Sequence, residues 1–331
     1  MPVPRPLSFV LDALAWIGRH GTQGFALSIF LGLALPQFAA AARPLLGVSI
    51  FCFVTITFAR VDSGALRALV ARPRPLLIAI AWLIAGPPAL VLLGLSVVGR
   101  ESLDPGLVLG LAMLAGAPPI MSAPAIAMLF GFEPTLIIAA ILTTTVLAPV
   151  LSPIVADLVA GAAVPLDLTI LVWRLVYLIG GAILAAAALR IGLGEARIRE
   201  HKASFDGFGV VMYFLFAVAA MDGVLAAAMT DPGRVARFLA VSFTMALAGF
   251  AGAWIALRPL VGADRFVLGY ATGQRNMGLL IAALGAATPD TTFLFFALAQ
   301  FPIYLMPQII KPIARRLAPL PPSEPRATAP P

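Results

Sequence analysis

Apolar stretches long enough to cross a bilayer recur along the chain, separated by short segments that hold most of the charges and much of the proline and glycine. A spanning helix needs roughly 20 mostly apolar residues. Reading between charges and Pro/Gly punctuation predicts ten spans, at residues 22–42, 45–59, 75–98, 105–130 and 134–151, then 168–191, 205–229, 234–257, 265–287 and 291–313. The expected fold class is therefore an all-α polytopic membrane protein. The second span is short. Ahead of the first, Pro2, Pro4 and Pro6 precede an apolar run from Leu7 to Ile17 that is interrupted by Asp12 and ends at Arg19 and His20. This run has no cleavage pattern, and with Trp16 near one end it suits an interfacial segment over residues 1–20. The Pro-rich tail, residues 319–331, is expected to be disordered.

The spans divide five and five near residues 160–167, giving repeats over 21–160 and 161–318. A repeat with an odd number of spans enters the membrane in the opposite sense the second time, which is the architecture of an inverted-repeat transporter. The basic residues test the count independently. With the N-terminus in the cytoplasm, sixteen of the 22 Lys and Arg residues fall on the cytoplasmic side. Only Arg43, Arg100, Arg234 and Arg237 fall on the other, and Arg174 and Arg275 lie inside spans. That asymmetry supports ten spans in a cell (inner) membrane with both termini cytoplasmic. The basic connection from Arg60 to Arg74 contains an amphipathic stretch at 63–71.

Composition narrows the classes. The chain has 331 residues, 61% hydrophobic and only 11% charged, against about 25% charged in a soluble protein. A soluble enzyme, a disordered chain and a disulfide scaffold are excluded; Cys52 is the only cysteine. The net charge of +7 reflects loop placement rather than a nucleic-acid partner. No metalloprotease, phosphate-loop, CxxC or nucleophile-elbow motif is present, so no enzyme is expected, and no cofactor or obligate protein partner is indicated.

Candidate chemistry lies in the fourth span of each half. In the first, Gly116-Ala117-Pro118-Pro119-Ile120-Met121-Ser122-Ala123-Pro124 places three prolines within seven residues. Each removes a backbone donor, so an unwound segment is expected over a simple kink. Such a break survives in a membrane only when buried in protein or facing water. In the second, Gly269-Tyr270-Ala271-Thr272-Gly273-Gln274-Arg275-Asn276-Met277-Gly278 puts three adjacent polar residues near mid-span. Arginine there costs about 2.5–3.5 kcal/mol on insertion scales. Arg275 is too deep to reach a surface easily. It is expected to meet a solute, to bond the carbonyls of a broken helix, or both.

These residues resemble the bile acid:sodium symporter family and its wider superfamily, which includes arsenite efflux permeases. The resemblance runs from about Thr22 to Arg316. It rests on span count, the Pro118–Pro124 break, the Gly273–Gly278 segment before Leu279, and Pro44-Leu45-Leu46-Gly47 followed by a basic loop. It implies that the fourth and ninth spans are broken and cross at mid-membrane, with two sodium ions behind the crossing and an organic anion in an adjacent cavity. It further implies alternating access by a core (spans three to five and eight to ten) moving against a panel (spans one, two, six and seven). Residues carried over to substrate or crossing are Pro118, Pro119, Ser122, Thr272, Gln274, Arg275 and Asn276. Candidate ion ligands are Ser122, Thr143, Thr144, Thr145 and Asn276.

The pattern departs from the family at the ion sites. Ala271 stands at an acidic position, Arg275 where Gln is usual, and Ala123 follows Ser122 where Asn is usual. The third span offers no Gln. A guanidinium there repels a cation strongly in low dielectric, so Arg275 is expected to replace at least one sodium ion. The fourth span lacks the cysteine usual in arsenite permeases.

Elsewhere, Asp222 is either a proton-coupling group or a helix-end charge. Gln300 and Gln308 make the tenth span irregular, and Trp82, Trp173 and Trp254 read as packing or interface residues. The expected function is secondary transport of a small or amphipathic organic anion, sodium-coupled by resemblance. Proton-coupled transport, exchange, a channel, and a non-transporting receptor or scaffold remain alternatives.

Overall fold

The computed structural model of the chain describes residues 5–20, 24–61, 64, 73–161 and 167–317. The stretch at 63–71, apart from Gly64, and the tail at 319–331 lie outside the described residues. Among the described residues there is no strand, and seven helices are long and apolar enough to cross a membrane. This is an all-α polytopic membrane protein.

Seventeen α-helices are described. They are α1 (Arg5–His20), α2 (Gly24–Ala34), α3 (Pro36–Ala42), α4 (Leu46–Ala59), α5 (Pro73–Val98), α6 (Pro105–Gly116), α7 (Ala123–Leu129), α8 (Thr135–Ala160) and α9 (Leu168–Leu175). Then come α10 (Gly181–Glu200), α11 (Lys202–Ala220), α12 (Val224–Thr230), α13 (Pro232–Ala256), α14 (Gly262–Gly273), α15 (Met277–Leu284), α16 (Asp290–Leu298) and α17 (Gln300–Leu317). Several are pieces of one long span. The first expected boundary, between residues 42 and 45, is corrected. The helix breaks at Leu35, and Pro36 starts a 24-residue span that runs through Ala59. Proline suits a first helical turn because its missing N–H would have no partner there. Pro44 is absorbed in a 3-10 turn, Arg43–Leu45, so the second span is long rather than short. The basic stretch up to Glu200 is likewise helix, after a kink at Gly194.

The helices pack as two groups. α1 to α4, α10 and α11 form one; α5 to α8, α13, α14, α16 and α17 form the other. In the first group α4 and α11 run antiparallel, pinned at their ends by Arg43–Asp222 (2.9 Å) and Arg60–Asp206 (2.5 Å). The N-terminal helix α1, expected to be interfacial, lies along α11. Ser204 Oγ donates to the Leu11 carbonyl (3.0 Å), and Gly207 allows contact with the Leu14 backbone that no side chain could permit. Trp16 is exposed.

Candidate functional site at the crossing of two interrupted helices

Helix α6 stops at Gly116 and α14 stops at Gly273. The chain after each is extended, and the two extended segments pair antiparallel through Pro119 and Arg275. The Ile120 N–H donates to the Gln274 carbonyl (3.0 Å), and the Asn276 N–H donates to the Pro118 carbonyl (2.8 Å). The sequence explains why two bonds suffice. Pro118 and Pro119 carry no N–H, so the unwound strand has few donors left to satisfy. The Gly116 carbonyl, orphaned by the break, accepts from Ser152 Oγ of α8 (2.7 Å). Close approach is set by glycine: a Cβ on Gly249 of α13 would lie 2.6 Å from Gly273 Cα.

Arg275 is 6% exposed. Its Nη2 donates to the Leu83 carbonyl of α5 (3.0 Å), while Nε and Nη1 have no partner. The Leu83 carbonyl is available for a definite reason. In a helix it would accept from residue 87, and residue 87 is proline. Pro88 frees the Ile84 carbonyl in the same way. One residue before Leu83, Trp82 Nε1 donates to Thr272 Oγ1 (3.0 Å), which itself donates to the Leu268 carbonyl (2.7 Å). Consecutive residues of α5 are thus tied to the second interrupted helix.

Arg275 is on the wall of two small cavities, each about 20 Å³. The rear one is lined by Leu83, Ile84, Gly116, Thr144 and Ser152. The front one lies between the two helix groups and is lined by Phe53, Tyr213, Phe216, Met121, Asn276 and Gln300, among others. Phe53 and Tyr213 stack with centroids 3.9 Å apart, and Phe216 meets Phe53 edge-on.

The expected crossing residues come together as follows. Pro118, Pro119, Gln274, Arg275 and Asn276 form the pairing itself, and Thr272 is the hub of the bond to α5. Gln274 is buried with Nε2 unpartnered, and Ser122 precedes α7. Of the threonines, Thr144 lines the rear cavity with its hydroxyl bonded to the Ala140 carbonyl (2.7 Å). Thr145 is fully buried with its hydroxyl unpartnered, and the Thr143 hydroxyl bonds the Ala139 carbonyl (2.9 Å). Asp222 is not brought to the crossing. It sits in the turn between α11 and α12, paired with Arg43. Gln300 lines the front cavity; Gln308 lines a separate one of about 360 Å³ beside Lys311 and Arg315.

Gly86-Pro87-Pro88 and the bond made by Trp82 are not anticipated from sequence. The signal was there, since adjacent prolines inside a span free carbonyls just as Pro118 and Pro119 do. No protein-family model matches this chain, and no curated protein matches it.

Proposed function

We propose that this chain is a secondary transporter of a small or amphipathic organic anion, working by alternating access. Its ten spans form two inverted five-helix repeats in a cell (inner) membrane, with both termini cytoplasmic. The opposite sense in which the two interrupted segments meet at Pro119 and Arg275 supports the inverted repeat. The single observation that carries the reading is Arg275, nine-tenths buried at that meeting point with Nε and Nη1 unpartnered. A buried charge with spare donors costs several kcal/mol, and charged groups inside membranes mark solute or ion paths.

Arg275 also takes the place of at least one coupling sodium. Its Nη2 occupies the proline-freed Leu83 carbonyl, which is the kind of oxygen a cation would use. The test is uptake of labelled organic anions into proteoliposomes, with and without a sodium gradient. Saturable uptake that persists without sodium, or uses fewer than two sodium ions per solute, is expected. Uptake strictly dependent on two sodium ions overturns the role given to Arg275. Absence of any saturable flux overturns the transporter.

A further inference from the structure

We infer that the site beside the crossing accepts a solute bearing one negative charge on an apolar or aromatic body, and refuses dianions. This deepens the transporter reading and rests on it. Arg275 borders both cavities, and its Nη2 is taken by the Leu83 carbonyl, which belongs to the wall of the rear one. The front cavity offers more to an anion. There α15 begins, and its N-terminal end carries partial positive charge. Asn276, at the cap position, makes no side-chain capping bond, so its carboxamide is left for a ligand. Arg275 is the one charged residue in the cavity wall among the described residues, and its Nε and Nη1 have no partner. The rest is apolar, aromatic or neutral, chiefly Ile50, Phe53, Phe216, Met121 and Ile303. One fixed cation compensates one carboxylate. A second carboxylate would be buried without a partner, a penalty worth on the order of a hundredfold or more in affinity. The cavity of about 20 Å³ has room for little more than a water, so the solute's body enters as the two helix groups part.

The test compares benzoate, benzamide and phthalate on the purified wild-type protein, by thermal shift and by competition in proteoliposome uptake. Benzoate is expected to stabilise and compete, with benzamide and phthalate on the order of a hundredfold weaker. Arg275→Gln is expected to lose the benzoate response and Arg275→Lys to keep part of it. Phthalate or benzamide matching benzoate overturns the inference while leaving the transporter standing. An unchanged benzoate response in Arg275→Gln overturns it too. No response to any anion, with no flux, overturns both. The wild-type comparison stands even where a variant fails to fold.

A second feature independently points to a hinge. Between α9 and α10 the chain makes a π-helical turn, Val176–Gly180, followed by Gly181. Such turns are rare and concentrate at functional sites. The arms on either side have different neighbours. α9 packs on α8 and α15, and Arg174 Nη1 donates to the carbonyls of Ala283 (3.1 Å) and Leu284 (2.8 Å) at the end of α15. α10 packs on α4, and Arg190 Nη1 donates to the carbonyls of Ala59 (3.1 Å) and Val61 (2.7 Å) at its end. The structure thus assigns the π-turn with Gly180 and Gly181 as a flexing point between the arm that packs on α8 and the arm that packs on α4, resting likewise on alternating access.

Gly180 has open space where a Cβ would stand, and a Cβ on Gly181 makes ordinary contact with Phe51. The double variant Gly180→Ala/Gly181→Ala is therefore expected to melt no lower than wild type yet to transport about tenfold more slowly. Gly192→Ala, in the same helix and also facing open space, is expected to leave uptake unchanged. Wild-type uptake by the double variant overturns the hinge. Should the double variant not fold, wild-type uptake by Gly180→Ala alone overturns it equally.

Discussion

Arg275→Met is expected to abolish uptake while leaving the protein about as stable as wild type. The two effects have separate physical origins. Methionine conserves much of the volume and removes a nine-tenths buried charge whose Nε and Nη1 are unpartnered. Replacing buried ionic groups with apolar ones of similar size is often neutral or stabilising by about 1–4 kcal/mol. Against this, the Leu83 carbonyl loses its donor, at about 1–3 kcal/mol. The two terms are of similar size, so the net change is expected to stay within about 3 kcal/mol of zero, and a melting curve in detergent measures it. Uptake loses a charge-to-charge hydrogen bond with the solute, worth roughly 2–5 kcal/mol, or about 30- to several-thousand-fold. Stability retained with function gone is the signature of a residue kept for its site. A variant that melts well below wild type would instead show Arg275 to be a brace for the proline-broken α5.

The second large effect is expected at the contact between α13 and α14. Gly273→Ala should lower stability by about 1–3 kcal/mol, read as a fall in melting temperature or loss of monodisperse protein. A Cβ at Gly273 would run into the backbone carbonyl of Ala246, and with Gly249 of the same helix leaving no room for a Cβ beside the Gly273 Cα, the whole of α13 would have to be pushed away. The clash is with main chain rather than with a flexible side chain, so no rotamer change relieves it. Gly209→Ala serves as the comparison: it too is helical, but faces open space and should not destabilise. Equal melting temperatures for the two variants would refute the close approach on which the crossing depends.

How much of this was legible in advance differs from element to element. The unwound stretch after Gly116 could be read from Pro118 and Pro119, because a missing N–H is a property of the residue itself. The boundary at Leu35 could not, because Pro36 and Pro44 both look like helix starts in sequence. Only packing against α11 and the Arg43–Asp222 pair distinguish the real start from the 3-10 turn. Pro87 and Pro88 give the reverse lesson. They leave α5 helical, and their consequence appears only in the Arg275–Leu83 bond, formed 192 residues apart.

Reading the residues alone is enough to conclude that the chain is a helical membrane protein, that helices are interrupted at Pro118–Pro119 and around Gly273–Asn276, and that one arginine lies deep among them. These follow from composition and local backbone chemistry, which need no knowledge of neighbours. Only the folded arrangement shows that the two interruptions pair with each other, that Arg275 spends one nitrogen on Leu83 and keeps two unpartnered, and that Asp222 is held by Arg43 away from the crossing. Each of these is a meeting between segments far apart in the chain, where the choice of partner is made by packing.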